Sequence, residues 1–121
     1  MALSAIRRFA ASAAVAAGVS GCEMTVRFVS VREMTELNAR FRGKKGPTDV
    51  LSFPAGEGAQ SYLGDIAICP GAASARPSRL SGELKVLVLH GMLHLMGYDH
   101  EVDQGQMRRL EQRLRRKLGL R

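Results

Sequence analysis

The sequence predicts one small domain in which helices and strands alternate around a single buried helix. Three observations predict it. The chain has 121 residues, 45% of them apolar, which is enough for one core. Short β-branched stretches lie between stretches of helical periodicity. Residues 84–96 are apolar almost all round, as expected of a helix enclosed by the rest of the chain.

At the N-terminus Leu3, Ile6, Phe9, Ala10, Ala13 and Ala17 recur at helical spacing in an alanine-rich segment, and alanine is the best helix former. Gly18 and Gly21 end that helix. The same segment has the look of a secretory signal, with Arg7-Arg8, small apolar residues and then Cys22 as at a lipoprotein cleavage site. Its apolar part is mostly alanine and too short to span a bilayer, which favours the amphipathic helix.

Met24 to Val29 alternates and is β-branched, so it reads as a strand. Ser30-Val-Arg-Glu33 reads as a capping box for a helix running through Met34, Leu37 and Phe41. The segment from Phe41 to Pro47 is a loop carrying Arg42, Lys44 and Lys45, either a solvated turn or a contact for phosphate oxygens. Thr48–Pro54 and Tyr62–Cys69 read as strands that pair as a hairpin across a polar loop. Asp65 interrupts the second of them, and a carboxylate there marks a paired or functional position.

Pro70 to Leu80 reads as a connection with one helical turn. Ser81 is the expected cap of the apolar helix, and Gly97 its stop. Asp103-Gln-Gly-Gln106 is a possible capping box for the last helix. There Met107, Leu110, Leu114 and Leu118 share a face, arginines fill the others, and Glu111 stands four residues before Arg115.

The net charge is +7 and the sequence pI about 10.3. That balance favours an anionic partner such as nucleic acid or an acidic membrane surface, though solubility alone also accounts for it. The basic last helix lacks the large aromatics of a membrane-surface helix. Cys22 and Cys69 form neither a disulfide framework nor a CxxC pair.

All three histidines lie in a short stretch, as His90-x3-His94-x2-Gly97-x2-His100. On a helix His90 and His94 stack one turn apart. After a turn at Gly97, His100 can approach them. Three neutral imidazoles with an open fourth position make a catalytic zinc-type site. The spacing is that of metzincin proteases, but their general-base glutamate is replaced by Gly91, which cannot accept a proton. The ligand set therefore fits a hydrolase without the protease base.

The stretch His90-Gly-Met-Leu-His-Leu-Met-Gly-Tyr-Asp-His100 resembles the signature of the YbeY family, bacterial metal-dependent endoribonucleases of rRNA maturation. The pattern HGxLHLxGYDH is met at every fixed position. Leu37-Asn38 to Phe53-Pro54 and Leu63-Gly-Asp-Ile66, with Cys69 just after, agree as well, so the resemblance covers residues 24 to 120. It implies an α+β fold, a small mixed sheet packed with helices, with the metal-bearing helix central and one domain over residues 1–121. It implies His90, His94 and His100 as ligands of one zinc ion per chain, or of another divalent metal, and Arg42 as the catalytic arginine. The implied substrate is single-stranded RNA, notably the 3′ end of 16S rRNA, with a role in ribosome quality control. The implied location is the cytoplasm, with no membrane association. Two departures stand out. The link from Cys69 to His90 is shorter than usual, and the helix before His90 lacks the polar residues often found there.

On this reading the metal activates water or the scissile phosphate, and Arg42, helped by Lys44 or Lys45, stabilises the charge that develops. Open space at Gly91 would admit the phosphodiester. Asp65 and Asp99 are the candidates to orient the imidazoles. Two other functions compete: a non-catalytic zinc-containing ribosome-assembly factor, and a metal-dependent hydrolase of a small phosphoester or amide.

Overall fold

A computed structural model of the chain describes residues 3–56, 58, 60–73 and 79–120. In order come α1 (Leu3–Ala16), β1 (Glu23–Phe28), α2 (Val31–Arg42), β2 (Val50–Pro54), β3 (Tyr62–Ile68), a 3₁₀ turn (Pro70–Ala72), α3 (Leu80–Leu95) and α4 (Gln106–Lys117). The fold is α+β. The strands form one mixed sheet in the order β1-β3-β2. β1 runs parallel to β3, and β2 pairs antiparallel with it as the expected hairpin.

Strand alternation divides the core between the two faces of this sheet. Ile66 and Ile68 join Leu84, Val88, Leu89, Met92 and Leu93 of α3, Ile6, Phe9 and Ala13 of α1, and Met107 and Leu114 of α4. Leu51, Ala67 and Cys69 face the other way, against Met34 of α2. The N-terminal segment is thus an amphipathic helix with its apolar stripe in the main core. Gly64 has φ 137°, and a Cβ there would lie 2.3 Å from the Phe53 carbonyl oxygen, so only glycine lets β2 approach β3 this closely.

Capping follows the sequence at some ends and departs from it at others. The Ser30 hydroxyl accepts a hydrogen bond from the Glu33 N–H at 3.1 Å. The Glu33 carboxylate turns to Arg27 of β1 rather than back to the cap. Ser81 is not a cap, because α3 starts one residue earlier, with Arg79 in the cap position. Ahead of α4, Asp103 accepts from the N–H groups of Gly105 and Met107, while Gln106 accepts from Gln104. The expected box is therefore shifted, with Gly105 in the cap position. The 3₁₀ turn supplies the helical turn expected after Pro70; residues 74–78 of that connection lie outside the described residues.

Candidate functional site

Helix α3 presents His90 and His94 because its other faces are committed to packing. It lies between the sheet and helices α1 and α4, with Leu84, Leu87, Val88, Leu89, Met92, Leu93 and Leu95 buried. Gly91 is buried against the sheet, where an added Cβ would lie 2.9 Å from Cγ2 of Ile66. This overturns the expectation of open space at Gly91: the glycine serves close packing of α3 on β3 and does not line the cleft beside the histidines. The Ser52 hydroxyl of β2 donates to the Gly91 carbonyl at 3.2 Å and ties the edge strand to the helix.

The turn after α3 brings in the third histidine. Gly97 has φ 103°, which an L side chain resists, and the Gly97 and Tyr98 N–H groups bond to the carbonyls of His94 and Leu93. The chain reverses, and the ring centroid of His100 comes to 5.4 Å from that of His90 and 5.3 Å from that of His94. One nitrogen from each of the three rings falls within 4.8 Å of the others.

The hydrogen bonds around the rings determine what those nitrogens can do. His94 donates from Nδ1 to the Tyr98 carbonyl at 2.9 Å, and His90 donates from Nδ1 to Oε1 of Glu111 at 2.8 Å. Both acceptors lack a proton, so each Nδ1 carries one, and in the neutral imidazole each Nε2 presents a lone pair. Those two Nε2 atoms lie 3.2 Å apart. Two facing lone pairs repel unless a cation lies between them. A tetrahedral metal with bonds of about 2.0–2.1 Å holds its ligand atoms about 3.3 Å apart, which matches this spacing. With His100 the donor set is three nitrogens, and among the described residues no other His, Cys, Asp or Glu joins the cluster. The residues present fit a metal with one open position.

Two pKa directions accompany this geometry. Burial pushes the His94 imidazole below its ordinary 6.5, and neighbouring His90 adds to the effect. The hydrogen bond from His90 holds the Glu111 carboxyl below the usual carboxylate range, against the desolvation that would raise it. Both keep the groups in the form a metal needs: neutral imidazole and anionic carboxylate.

The histidines line a cleft of about 560 Å³, whose other walls include Arg42, Asp49, Ser52, Asp99 and Glu101. The structure thus brings Arg42, the last residue of α2, into one cleft with the three ligands. Its guanidinium has no ion pair among the described residues. Lys44 and Lys45 are exposed in the loop beyond and do not line the cleft. Asp99 does line it, but its carboxylate accepts from the Glu101 N–H at 3.0 Å and orders the loop rather than an imidazole. Asp65 is elsewhere. It is exposed on the sheet face away from α3 and accepts a hydrogen bond from the Tyr62 hydroxyl, which corrects its expected role beside the histidines.

The carboxylate that orients an imidazole is instead Glu111. The i,i+4 spacing pointed it only at Arg115, which does approach it, at 4.0 Å. One signal was available: Glu111 is the lone acidic residue in an otherwise basic helix.

The chain matches the family model described as Endoribonuclease YbeY over residues 2–119. It is 50% identical over 92 residues to the Endoribonuclease YbeY of Solibacter usitatus, an alignment covering 73% of this chain and 60% of that protein. It is 47% identical over 116 residues to the Koribacter versatilis protein of the same name, covering 93% and 74%. The solution structure of TM1509 from Thermotoga maritima matches with a TM-score of 0.64 at 32% identity, covering 96% of this chain and 80% of that one.

Proposed function

Because the chain belongs to the Endoribonuclease YbeY family, we propose that it is a metal-dependent endoribonuclease that cuts single-stranded RNA. Its substrate in this reading is ribosomal RNA, at the 3′ end of the 16S molecule, with a role in ribosome maturation and quality control in the cytoplasm. No helix among the described residues is long and apolar enough to cross a membrane. The metal in this reading is zinc, one ion per chain.

One observation carries the reading. Three imidazoles with converging nitrogens share a cleft with Arg42, which has no ion pair among the described residues. A divalent metal bound there supplies Lewis acidity towards a phosphoryl oxygen and lowers the pKa of coordinated water towards about 7.

The chain's own groups do the rest. Glu111 and the Tyr98 carbonyl fix the tautomers of His90 and His94, so in the neutral rings it is Nε2 that faces the metal position. Arg42 offers a planar fork of donors to the non-bridging phosphate oxygens, where negative charge grows during displacement. Gly91 is buried and takes no proton. Among the groups lining the cleft, the carboxylates of Asp49, Asp99 and Glu101 are the candidates to receive a proton from the attacking hydroxyl.

The test is a cleavage screen of metal-loaded protein on single-stranded RNA, double-stranded RNA, a model phosphodiester and a peptide, each with and without chelator. Chelator-sensitive cutting confined to single-stranded RNA is expected. Cutting that persists in chelator, or cutting of the peptide alone, would overturn the proposal. Product ends identify the nucleophile, since a 2′,3′-cyclic phosphate means attack by the 2′-hydroxyl of the RNA itself.

A further inference from the structure

Phe41 is 54% exposed, and it is the one aromatic among the exposed large apolar residues described. Its ring meets that of Phe53 of β2 nearly edge-on, with centroids 5.1 Å apart and planes at 76°. The Arg40 guanidinium carbon lies 5.4 Å from the ring centroid. A ring that packs on a neighbouring aromatic and keeps half its surface in water is a platform for a flat partner.

The surroundings indicate which partner. Phe41 lines a groove of about 240 Å³ with Leu37, Phe53, Ala67, Arg27 and Asp65. Arg27 is paired with Glu33 and Asp65 repels a phosphate, so the groove suits the uncharged part of a nucleotide. Arg40, Lys44 and Lys45 are exposed, have no ion pair among the described residues, and suit the phosphates beside it. The next residue along the chain, Arg42, is in the cleft with the histidines. Strand β2 separates cleft and groove, with Ser52 on the cleft side and Phe53 on the groove side. A strand leaving the cleft past Arg42 has only this sheet edge to cross before reaching Phe41.

We propose that Phe41 is a base-stacking subsite for single-stranded RNA, outside the catalytic cleft, with Arg40, Lys44 and Lys45 holding the adjoining phosphates. The proposal rests on the endoribonuclease reading. It adds a reason for single-strand selectivity: a base inside a duplex has no free face to offer, whereas an unpaired base stacks readily on an aromatic ring. It also gives the two lysines a role away from the reacting phosphate.

The chain has no tryptophan, so Phe41→Trp introduces a single tryptophan, excited selectively over the tyrosines, at the subsite. Metal-loaded Phe41→Trp is titrated with a short single-stranded oligonucleotide whose 2′-O-methyl phosphorothioate linkages resist cutting, and with its duplex. Quenching by the single strand but not by the duplex is expected. Phe41→Ala, checked for native circular dichroism and full metal content, is expected to bind the single strand roughly five- to thirty-fold more weakly, with Phe41→Tyr close to the parent. An unquenched tryptophan, together with Phe41→Ala binding within twofold of the parent, overturns the stacking subsite. If the parent still cuts RNA in a chelator-sensitive way, only this proposal falls. If the parent neither binds nor cuts single-stranded RNA, both readings fall.

Discussion

Replacing Glu111 by alanine removes the acceptor that fixes His90. The Nδ1–Oε1 contact is 2.8 Å long, and the two side chains are only 29% and 18% exposed, so solvent replaces the bond poorly. A hydrogen bond to an ionised partner in such a setting contributes about 1.5–3 kcal/mol. Part of this is recovered when water enters the space left by the carboxylate, and the approach of Arg115, at 4.0 Å, is too long to add much. What remains is a loss of about ten- to one-hundred-fold in metal affinity, the usual range for a carboxylate behind a ligating histidine. Glu111→Gln keeps an acceptor oxygen without the charge, so a smaller loss, below tenfold, is expected. Competition against a chromophoric chelator at pH 7.5 measures both, with circular dichroism to confirm that the helices remain. Equal affinity for Glu111→Ala and the parent, in a folded protein, would refute the argument that this contact sets the tautomer of His90.

Three further outcomes follow from the same geometry. Gly91→Ala removes a helix-interior glycine that costs about 1 kcal/mol, yet its Cβ would press on Ile66 at 2.9 Å, and overpacking costs about 1–3 kcal/mol. Urea unfolding should show a net loss of about 0–2 kcal/mol, and a gain of a full kilocalorie would contradict the packing. For His94 the folded pKa lies below the unfolded 6.5. Just below that pH the unfolded chain therefore binds more protons, and stability rises with pH across the window. Metal-stripped protein should lose urea resistance as pH falls from 7.5 to 5.5, and His94→Gln should show less of this slope; equal slopes would remove His94 as its source. Arg42→Ala should lower single-turnover RNA cleavage by about 10²–10³ at unchanged metal content, with Arg42→Lys recovering only part because it lacks the planar fork.

Much of this site was legible because its parts are local. The i,i+4 spacing of His90 and His94, the glycine turn and the return of His100 all lie within eleven consecutive residues, so helix periodicity and one local turn bring them together. The strands, the Ser30 cap and the burial of α3 were legible for the same reason. What was missed depends on contacts distant in sequence. Asp65 was read as a carboxylate in a buried strand, but period-2 alternation sends it to the opposite face from Ile66 and Ile68, and nothing local tells which face meets α3. Glu111 reaches His90 only because α4 packs back on α3, twenty-one residues along the chain. Gly91 was read through its absent side chain, whereas its position is set by how closely α3 packs on β3. The parallel pairing of β1 with β3 likewise depends on a connection that passes through α2 and β2.

In the proposed function RNA cutting runs through a metal held by His90, His94 and His100. The most direct test follows cleavage of a defined single-stranded RNA while zinc is titrated into stripped protein, with bound metal measured in the same samples, for the parent and for His94→Ala. Activity is expected to rise in proportion to metal and to saturate at one ion per chain, and folded His94→Ala is expected neither to bind the ion tightly nor to cut. Cutting by stripped protein at the loaded rate, or full activity in a folded His94→Ala variant, would contradict the proposed function.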